Sequence, residues 1–362
     1  MPKPSVTIYD VARAAHVSPA AVSLALRGEG TLAASTRNKI LRIAEQLGYQ
    51  RNVFAASLRL RQPDGSTPHG PPLAVLLAQS ARGEVYPVSP LREGLRQETH
   101  RLGYTLTEVT VSHRESLRAI LRTLYYQGVQ GIFIPHLIDP GLATPKDWSH
   151  FCVVACHLGR HPPVFHTVRA SAFDSVFFAL QELTHRGYRR VGAAIFQHDP
   201  RSMDDITREA ALHLGLQEFG LTALAPFLGS HQDLPGFLTW FNAQKPEAVL
   251  AFHVGCYYWL RKIGVDVPGK VGFCSLHLED VEAARSLTGF HSPEVDMGRA
   301  AVQQMDTMIR HRERGLVPEP KEILLRRTWC EGTTLPPRTP SPPRRPAPVR
   351  RRSTSQPLSR TG

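Results

Sequence analysis

Residues 6–58, VTIYDVARAAHVSPAAVSLALRGEGTLAASTRNKILRIAEQLGYQRNVFAASL, decide how the amino end of this chain folds. Thr7 is placed to cap a first helix, with Asp10 near that helix's positive end. Ile8, Val11, Ala12 and Ala15 form one apolar stripe at helical spacing. Ala14 to Val17 leaves room only for a tight turn. Ser18 then offers a capping oxygen, and Pro19 suits the first position of a second helix. Val22, Ala25 and Leu26 of that helix face inward, which leaves Ala20, Ala21, Ser23, Leu24 and Arg27 on or near the exposed side. A third helix runs from about Ser35 to Leu47, with Ile40, Ile43, Ala44 and Leu47 inward, and Gly48 ends it. Two short helices joined by such a turn form a helix-turn-helix, whose second helix enters the DNA major groove. The competing reading is an ordinary small helical bundle. Capping and spacing together favour the first.

Charge agrees with a nucleic-acid partner. The 362-residue chain carries a formal net charge of +12. Residues 1–62 hold nine lysines and arginines against three acids, and residues 336–362 hold seven arginines and no acid. The body between is close to neutral. A basic head on a neutral body is the electrostatic footprint of a nucleic-acid binder. The tail, PPRTPSPPRRPAPVRRRSTSQPLSRTG at 336–362, is rich in proline and arginine and has too little apolar surface to fold. Two readings of it stand: a nonspecific phosphate-binding arm, or a solvated extension.

Several classes are disfavoured. No apolar run approaches the roughly twenty residues that span a bilayer, and no signal-peptide stretch opens the chain, so a cytoplasmic protein with no membrane partner is expected. Cys152, Cys156, Cys256, Cys274 and Cys330 show no CxxC spacing, and an odd number in a reducing compartment reads as buried free thiols. His157, His161 and His166 lack a metal-ligand pattern, so neither metal nor cofactor is expected. GxSxG, P-loop and strand-borne GxGxxG motifs are missing, which argues against an enzyme and leaves no catalytic residue to name. An enzyme fused to a DNA-binding head is the remote alternative.

QPDGSTPHGPP at 62–72 is a linker rich in proline and glycine. Beyond it, short apolar runs alternate with amphipathic stretches. LAVLLA, YTLTEVTV, GIFIP, FCVVACHL, VFHTV, RRVGAAIF, AVLAF, KVGFCSL and LTGF read as strands, and EILLRRTW as a closing one. Helices are expected over about 88–102, 114–127, 171–187, 202–219, 255–263 and 293–314. The alternation predicts an α/β core of parallel sheets covered by helices, and some 260 residues suit two units better than one. The aromatic run Tyr257-Tyr258-Trp259 reads as core packing, or as rings that stack on a ligand.

The head resembles the LacI family of bacterial transcription regulators through VTIYDVARAAHVS, AVSLALRG, STRNKI and LGYQRNVFAASL. The resemblance implies that Ile8, Tyr9, Ser18, Ser23, Thr36, Tyr49 and Asn52 support the docked pose on DNA. It also implies that residues 52–60 form a hinge helix when two subunits meet on an operator. Leu58 stands where the family wedges a leucine into the minor groove, and Ala55 and Arg59 flank it on the same helix. Such a wedge kinks the duplex at a flexible base step. The departures are informative. Pro19, Ala20 and Ala21 follow Ser18 where a polar or long residue is usual. Leu24 replaces a frequent arginine, Arg27 an asparagine, and His16 the turn glycine. A guanidinium–guanine contact is therefore not on offer at position 24, and Arg27 is the candidate to supply it one turn later. Hinge and shape readout are expected to carry more of the specificity.

The resemblance continues through GLRQETHRLGY, ALQELTHRGYRRVG, PEAVLAF, VDVPGKVGF and LTGFHSPEVDMGRAA. It implies a core similar to type I periplasmic sugar-binding proteins, two Rossmann-like subdomains around a cleft. The expected organisation is a head at 1–50, hinge and linker at 51–72, and a core at 73–335. One subdomain takes about 73–164 plus 291–321, and the other about 165–290 plus 322–335. Crossings are expected near Val164–Val168, Phe290–Pro293 and Pro320–Leu324. Ligands in such sheets bind at the carboxyl ends of strands. Where the family places sugar-gripping acids, this chain has His253-Val254, Ser275 and His277, and Arg169 in place of another acid. Arg208 matches an effector-contacting arginine. A cleft holding Arg169, Arg208, His253, Ser275 and His277 prefers an anionic ligand to a neutral sugar. The alternative is a rim of solvated groups that bind nothing. The reading as a whole is a homodimeric repressor on an inverted-repeat double-stranded operator, controlled by a small-molecule effector. Its rival is a regulator with a ligand-independent or partner-controlled core.

Overall fold

The computed structural model describes residues 8–27, 32–47, 49, 70–79, 89–112, 116–135, 143–156, 164–197, 201–230, 232–278 and 285–338. Thr7, the hinge stretch with Asn52, Ala55, Leu58 and Arg59, and the basic tail from 339 on lie outside these residues; the tail's first residues are placed, with Arg338 pairing with Glu247.

Three helices build the head: α1 (Ile8–Ala15), α2 (Pro19–Arg27) and α3 (Ala34–Gln46). Val11, Ala12, Ala15, Val22, Ala25, Leu26, Ile40 and Ala44 close into one buried cluster, as the helical periodicity requires. Two details differ from expectation. Leu47 is 38% exposed, and Leu41 points inward instead. The chain turns after Leu47, and Tyr49 swings back, its amide donating to the Ala44 carbonyl, to fill the space under α3.

The core holds two sheets. β1 (Pro72–Ala78), β2 (Thr105–Val111), β3 (Gly131–Ile134), β4 (Cys152–Ala155), β5 (His166–Ala170) and β10 (Glu322–Leu325) form a six-stranded sheet in the order β10-β5-β4-β3-β1-β2. Every pairing in it is parallel. β6 (Val191–Ala194), β7 (Ala248–Ala251), β8 (Gly272–Leu278), β9 (Thr288–His291) and β11 (Thr328–Cys330) form the second sheet, in the order β11-β9-β8-β7-β6. Only β11 runs antiparallel there. The central strands are apolar along their length because helices cover both faces.

Helices α4 (Ser89–Arg101), α5 (Leu117–Tyr126), α6 (Pro145–Trp148) and α11 (Glu294–His311) flank the first sheet. Helices α7 (Ala172–His185), α8 (Met203–Glu218), α9 (Leu234–Gln244) and α10 (Gly255–Lys262) flank the second. The closing stretch EILLRRTW is not one strand. It splits into β10 and β11 because the chain crosses from one sheet to the other at Arg326–Arg327. β5 and β10 therefore both belong to the first sheet, and the first and third crossings fall just after Ala170 and Leu325, a few residues later than expected. The second crossing lies at Ser292–Pro293, between β9 and α11.

The head rests on the first subdomain. Tyr126 of α5 is buried within the head's own apolar cluster, and its hydroxyl donates to the Leu41 carbonyl at 2.8 Å. Among the described residues no helix is long and apolar enough to cross a membrane.

Candidate nucleic-acid interface and interdomain cleft

The Ser18 hydroxyl accepts a hydrogen bond from the Ala21 amide at 3.1 Å, so it caps α2 where the sequence placed a cap. Before it, His16 adopts a left-handed backbone with φ of 57°, a conformation that favours glycine. The Val17 amide donates to the Ala12 carbonyl, closing α1 as the chain turns. Val22, Ala25 and Leu26 lock α2 to the head, which leaves Ala20 exposed and Pro19, Ala21, Ser23 and Leu24 half-buried on the other side. Tyr9 is 66% exposed, and Ile8 and Thr36 are half-buried. Tyr49 differs from these: its ring is buried in the head core. Apart from the hydroxyls of Ser18 and Ser23, the described side chains on the free face of α2 offer methyl groups rather than hydrogen bonds. The Arg27 side chain lies outside the described residues.

The second candidate site lies where the crossings meet the carboxyl ends of β7, β8 and β9. Ser202 and Asp205 form a capping box at the start of α8, and Asp205 also accepts from Arg208. The Arg208 guanidinium lies 4.1 Å from the Phe252 ring centroid, and its side chain is 6% exposed. Burial lowers its pKa, and its Nε has no hydrogen-bond partner. Arg169, at the end of β5, donates to Asp204 of α8 at 2.9 Å and to Glu322 of β10. It is thus a strut between the first sheet and α8, both of its bonds made to carboxylates.

His277 lies in β8, and its Nδ1 is 3.3 Å from Nη1 of Arg327, which donates to it. Its Nε2 is 3.9 Å from Glu294 at the start of α11. Burial, then the charges of Arg327, His253 and His291, push His277 down to about 3, so the imidazole is neutral at physiological pH and its approach to Glu294 is not an ion pair. Burial raises the Glu294 carboxyl, and Arg327 opposes that rise. The Nδ1 of His253 accepts from the Gly255 amide at 3.0 Å, which seats the ring at the start of α10.

Ser275 corrects an expectation. It is fully buried, and its hydroxyl donates to the His277 carbonyl and accepts from the His277 amide. It stabilises the irregular register of β8 against β9 instead of facing a ligand. Tyr257 and Trp259 pack on Phe273 and Phe237, the core role rather than the stacking one. Sequence reasoning missed Arg327, Phe252, Glu294 and His291. Arg327 was hidden because EILLRRTW reads as one continuous strand. A groove of about 710 Å³ lies elsewhere, at the seam between head and core. Four of its charged lining groups pair with one another, Lys146 with Glu45 and Arg118 with Asp147, and Arg122 lines it as well. Among the described residues no group of three or more His, Cys, Asp or Glu could hold a metal ion.

Residues 7–52 match the family described as bacterial regulatory proteins, lacI family, and residues 180–334 match a periplasmic binding protein-like domain. The chain is 24% identical to catabolite control protein A of Staphylococcus epidermidis over 340 residues, which is 91% of this chain and 99% of that protein. It is also 24% identical to the HTH-type transcriptional repressor PurR of Escherichia coli O1:K1, covering 88% of this chain and 93% of that protein. Among solved structures, the lac repressor dimer bound to operator and the anti-inducer ONPF is similar in fold. Its TM-score is 0.59 at 18% identity, over 92% of this chain and all of that one. The transcriptional regulator CelR in complex with cellobiose gives the same score, identity and coverage.

Proposed function

We propose that this chain, which belongs to the LacI family of bacterial regulatory proteins and is a DNA-binding regulator of transcription, acts as a homodimeric repressor on an inverted-repeat operator under the control of a small-molecule effector. The observation that carries the reading is the joining of two devices in one chain. A helix-turn-helix with the outer side of α2 left free packs directly on a two-sheet core, and charged side chains gather at the crossings of that core. The exposed positions Ser18 and Ala20, with Pro19, Ala21, Ser23, Leu24 and Arg27, form the base-facing side of α2. Ile8, Tyr9 and Thr36 support the pose on phosphates. Asn52, Ala55, Leu58 and Arg59 belong to a hinge helix that pairs across the dimer axis. Its leucine wedge offsets the scarcity of hydrogen bonds from α2.

Control follows from the crossings. An effector between the subdomains, held on Arg208, His253 and His277, changes their relative setting and so whether the two hinge helices pair. The coupling is reciprocal: DNA changes effector affinity by the factor by which effector changes DNA affinity. A cytoplasmic site of action suits this role.

Selection of bound duplexes from a random pool by the full chain tests the reading. The expected outcome is an enriched inverted repeat with a flexible base step at its centre, and an Arg27→Ala selection with altered base preference within each half-site. Enrichment of a single unrepeated site refutes the proposal. A second reading, a core without an effector, is favoured by the pairing of Arg169 and Arg208 with Asp204, Glu322 and Asp205. A thermal-shift survey in which no small molecule stabilises the core supports that alternative.

A further inference from the structure

We infer that Arg327, at the third crossing, anchors a phosphoryl group of the ligand, with Arg208 and His277 completing the seat. The inference rests on the effector reading above and names the chemistry of that same site.

Four guanidiniums stand around the crossings, and their surroundings differ; Arg326 is exposed and faces Asp174. Arg169 is held by two carboxylates and Arg208 by one. Arg327 has no carboxylate in ion-pair reach among the described residues, and its direct partner is an uncharged imidazole nitrogen. It is nonetheless half-buried. Burial, then the Arg208 charge, lowers it to about 10. Glu294 and Asp204 act on Arg327 through charge alone, with no carboxylate bonded to it, and the fold retains it beside Arg208, whose Nε is buried and unbonded although its Nη2 bonds Asp205. An oxyanion satisfies both at once.

The donors come from separate segments: Arg327 from the third crossing, Arg208 from α8 and His277 from β8. A phosphoryl group presents oxygens in three directions, and a carboxylate presents two. Phe252 on the flank of Arg208 supplies an apolar wall for the rest of the molecule. The position also gives the anion leverage. Arg327 lies on the strand connection between the sheets, and Glu294, whose charge faces it, opens the helix that follows the second crossing. Neutralising Arg327 therefore changes the forces on two of the three crossings together.

Thermal melting of the full chain in inorganic phosphate, inorganic sulfate and malonate, each against chloride at matched ionic strength, tests the inference. Wild type is expected to gain about 2–3 °C in phosphate at tenfold over its dissociation constant. Arg261→Gln, at an exposed position on α10, is expected to retain that gain. Arg327→Gln is expected to lose it, with phosphate affinity down by about tenfold or more. Without ligand, Arg327→Gln is expected to melt no lower than wild type, because burial and the Arg208 charge disfavour this cation more than Glu294 and Asp204 favour it. A purely structural arginine gives the opposite sign. Absence of a phosphate shift in wild type overturns the inference. So does an equal shift in Arg327→Gln, which assigns the anion to the basic head or tail, and so does a malonate shift larger than the phosphate one. Operator affinity with and without phosphate separates this inference from the reading beneath it. Arg327-dependent phosphate binding that leaves operator affinity unchanged refutes effector control and leaves the site standing. A small molecule that alters operator affinity equally in wild type and Arg327→Gln does the reverse.

Discussion

Glu98 shows how far a single side chain departs from its surroundings. It is 5% exposed on α4, with Arg101 donating to its two carboxylate oxygens at 2.8 and 2.7 Å and Gln303 of α11 adding a third bond at 2.9 Å. The Arg101 hydrogen bonds dominate and hold the carboxyl at about 2, against an ordinary 4.5. A lowered folded pKa places the stabilisation above the unfolded value. It is complete above pH 4.5 and is lost as pH falls towards 2. Arg101 itself is largely exposed, so water screens part of the gain. Glu98→Gln is expected to cost about 1–2 kcal/mol at pH 7 and to flatten the stability curve between pH 4.5 and 2, read by denaturant melts across that range. An unchanged acid limb contradicts the assignment. At this same scale, legibility in the sequence followed locality. Ser18 announced its cap because the partner amide lies three residues away. Arg327 and Ser275 did not announce their roles. Arg327 depends on where the chain leaves a sheet; Ser275 bonds to His277 only two positions on, but it does so where the register between two strands is irregular, which the local sequence does not show.

Elements were legible where one face alone is apolar. Helices α4, α5, α7, α8, α10 and α11 fall close to their expected ranges, and the one-turn α6 was not foreseen. α9 had no counterpart in the sequence reading. Its run LPGFLTWFNAQ places Phe237, Leu238, Trp240 and Phe241 around much of the helix, packed on Phe227 and Trp259, so no amphipathic period shows. The cap was nonetheless present: Asp233 accepts from the Gly236 amide at 2.9 Å, and Pro235 occupies the first turn. The tightest element pairing is α4 on α11. A methyl group on Gly298 would sit 2.4 Å from the Leu91 carbonyl oxygen, and one on Gly94 2.0 Å from that of Val295. Neither obstacle is a flexible side chain, so the helices must separate. Gly298→Ala is expected to destabilise the core by about 1–3 kcal/mol in denaturant melts while leaving head helicity intact. A neutral effect means that the two helices are not held at this distance.

Across the whole molecule, function depends on the order of contacts between parts. The three crossings gather Arg169, Glu294 and Arg327 at one junction, and α5 of the first subdomain inserts Tyr126 into the head. A change at the crossings thus has a packed path to α3 through the first sheet and α5. Fold class was legible at this scale because alternating strands and helices admit few arrangements. The path itself was not, since Tyr126 meets Leu41 across 85 positions of sequence. The excess of lysine and arginine in residues 1–62 is of the kind that adds a salt-sensitive attraction to phosphate, blind to sequence. On the proposed function, specific recognition engages two heads at once. The measurement that tests this most directly is titration of the full chain onto a selected operator and onto the same duplex with one half-site scrambled, with complex mass determined at saturation. The account predicts two chains on the intact operator and a loss of about a hundredfold or more in affinity when one half-site is removed. One chain per duplex, bound equally well to a single half-site, would contradict it.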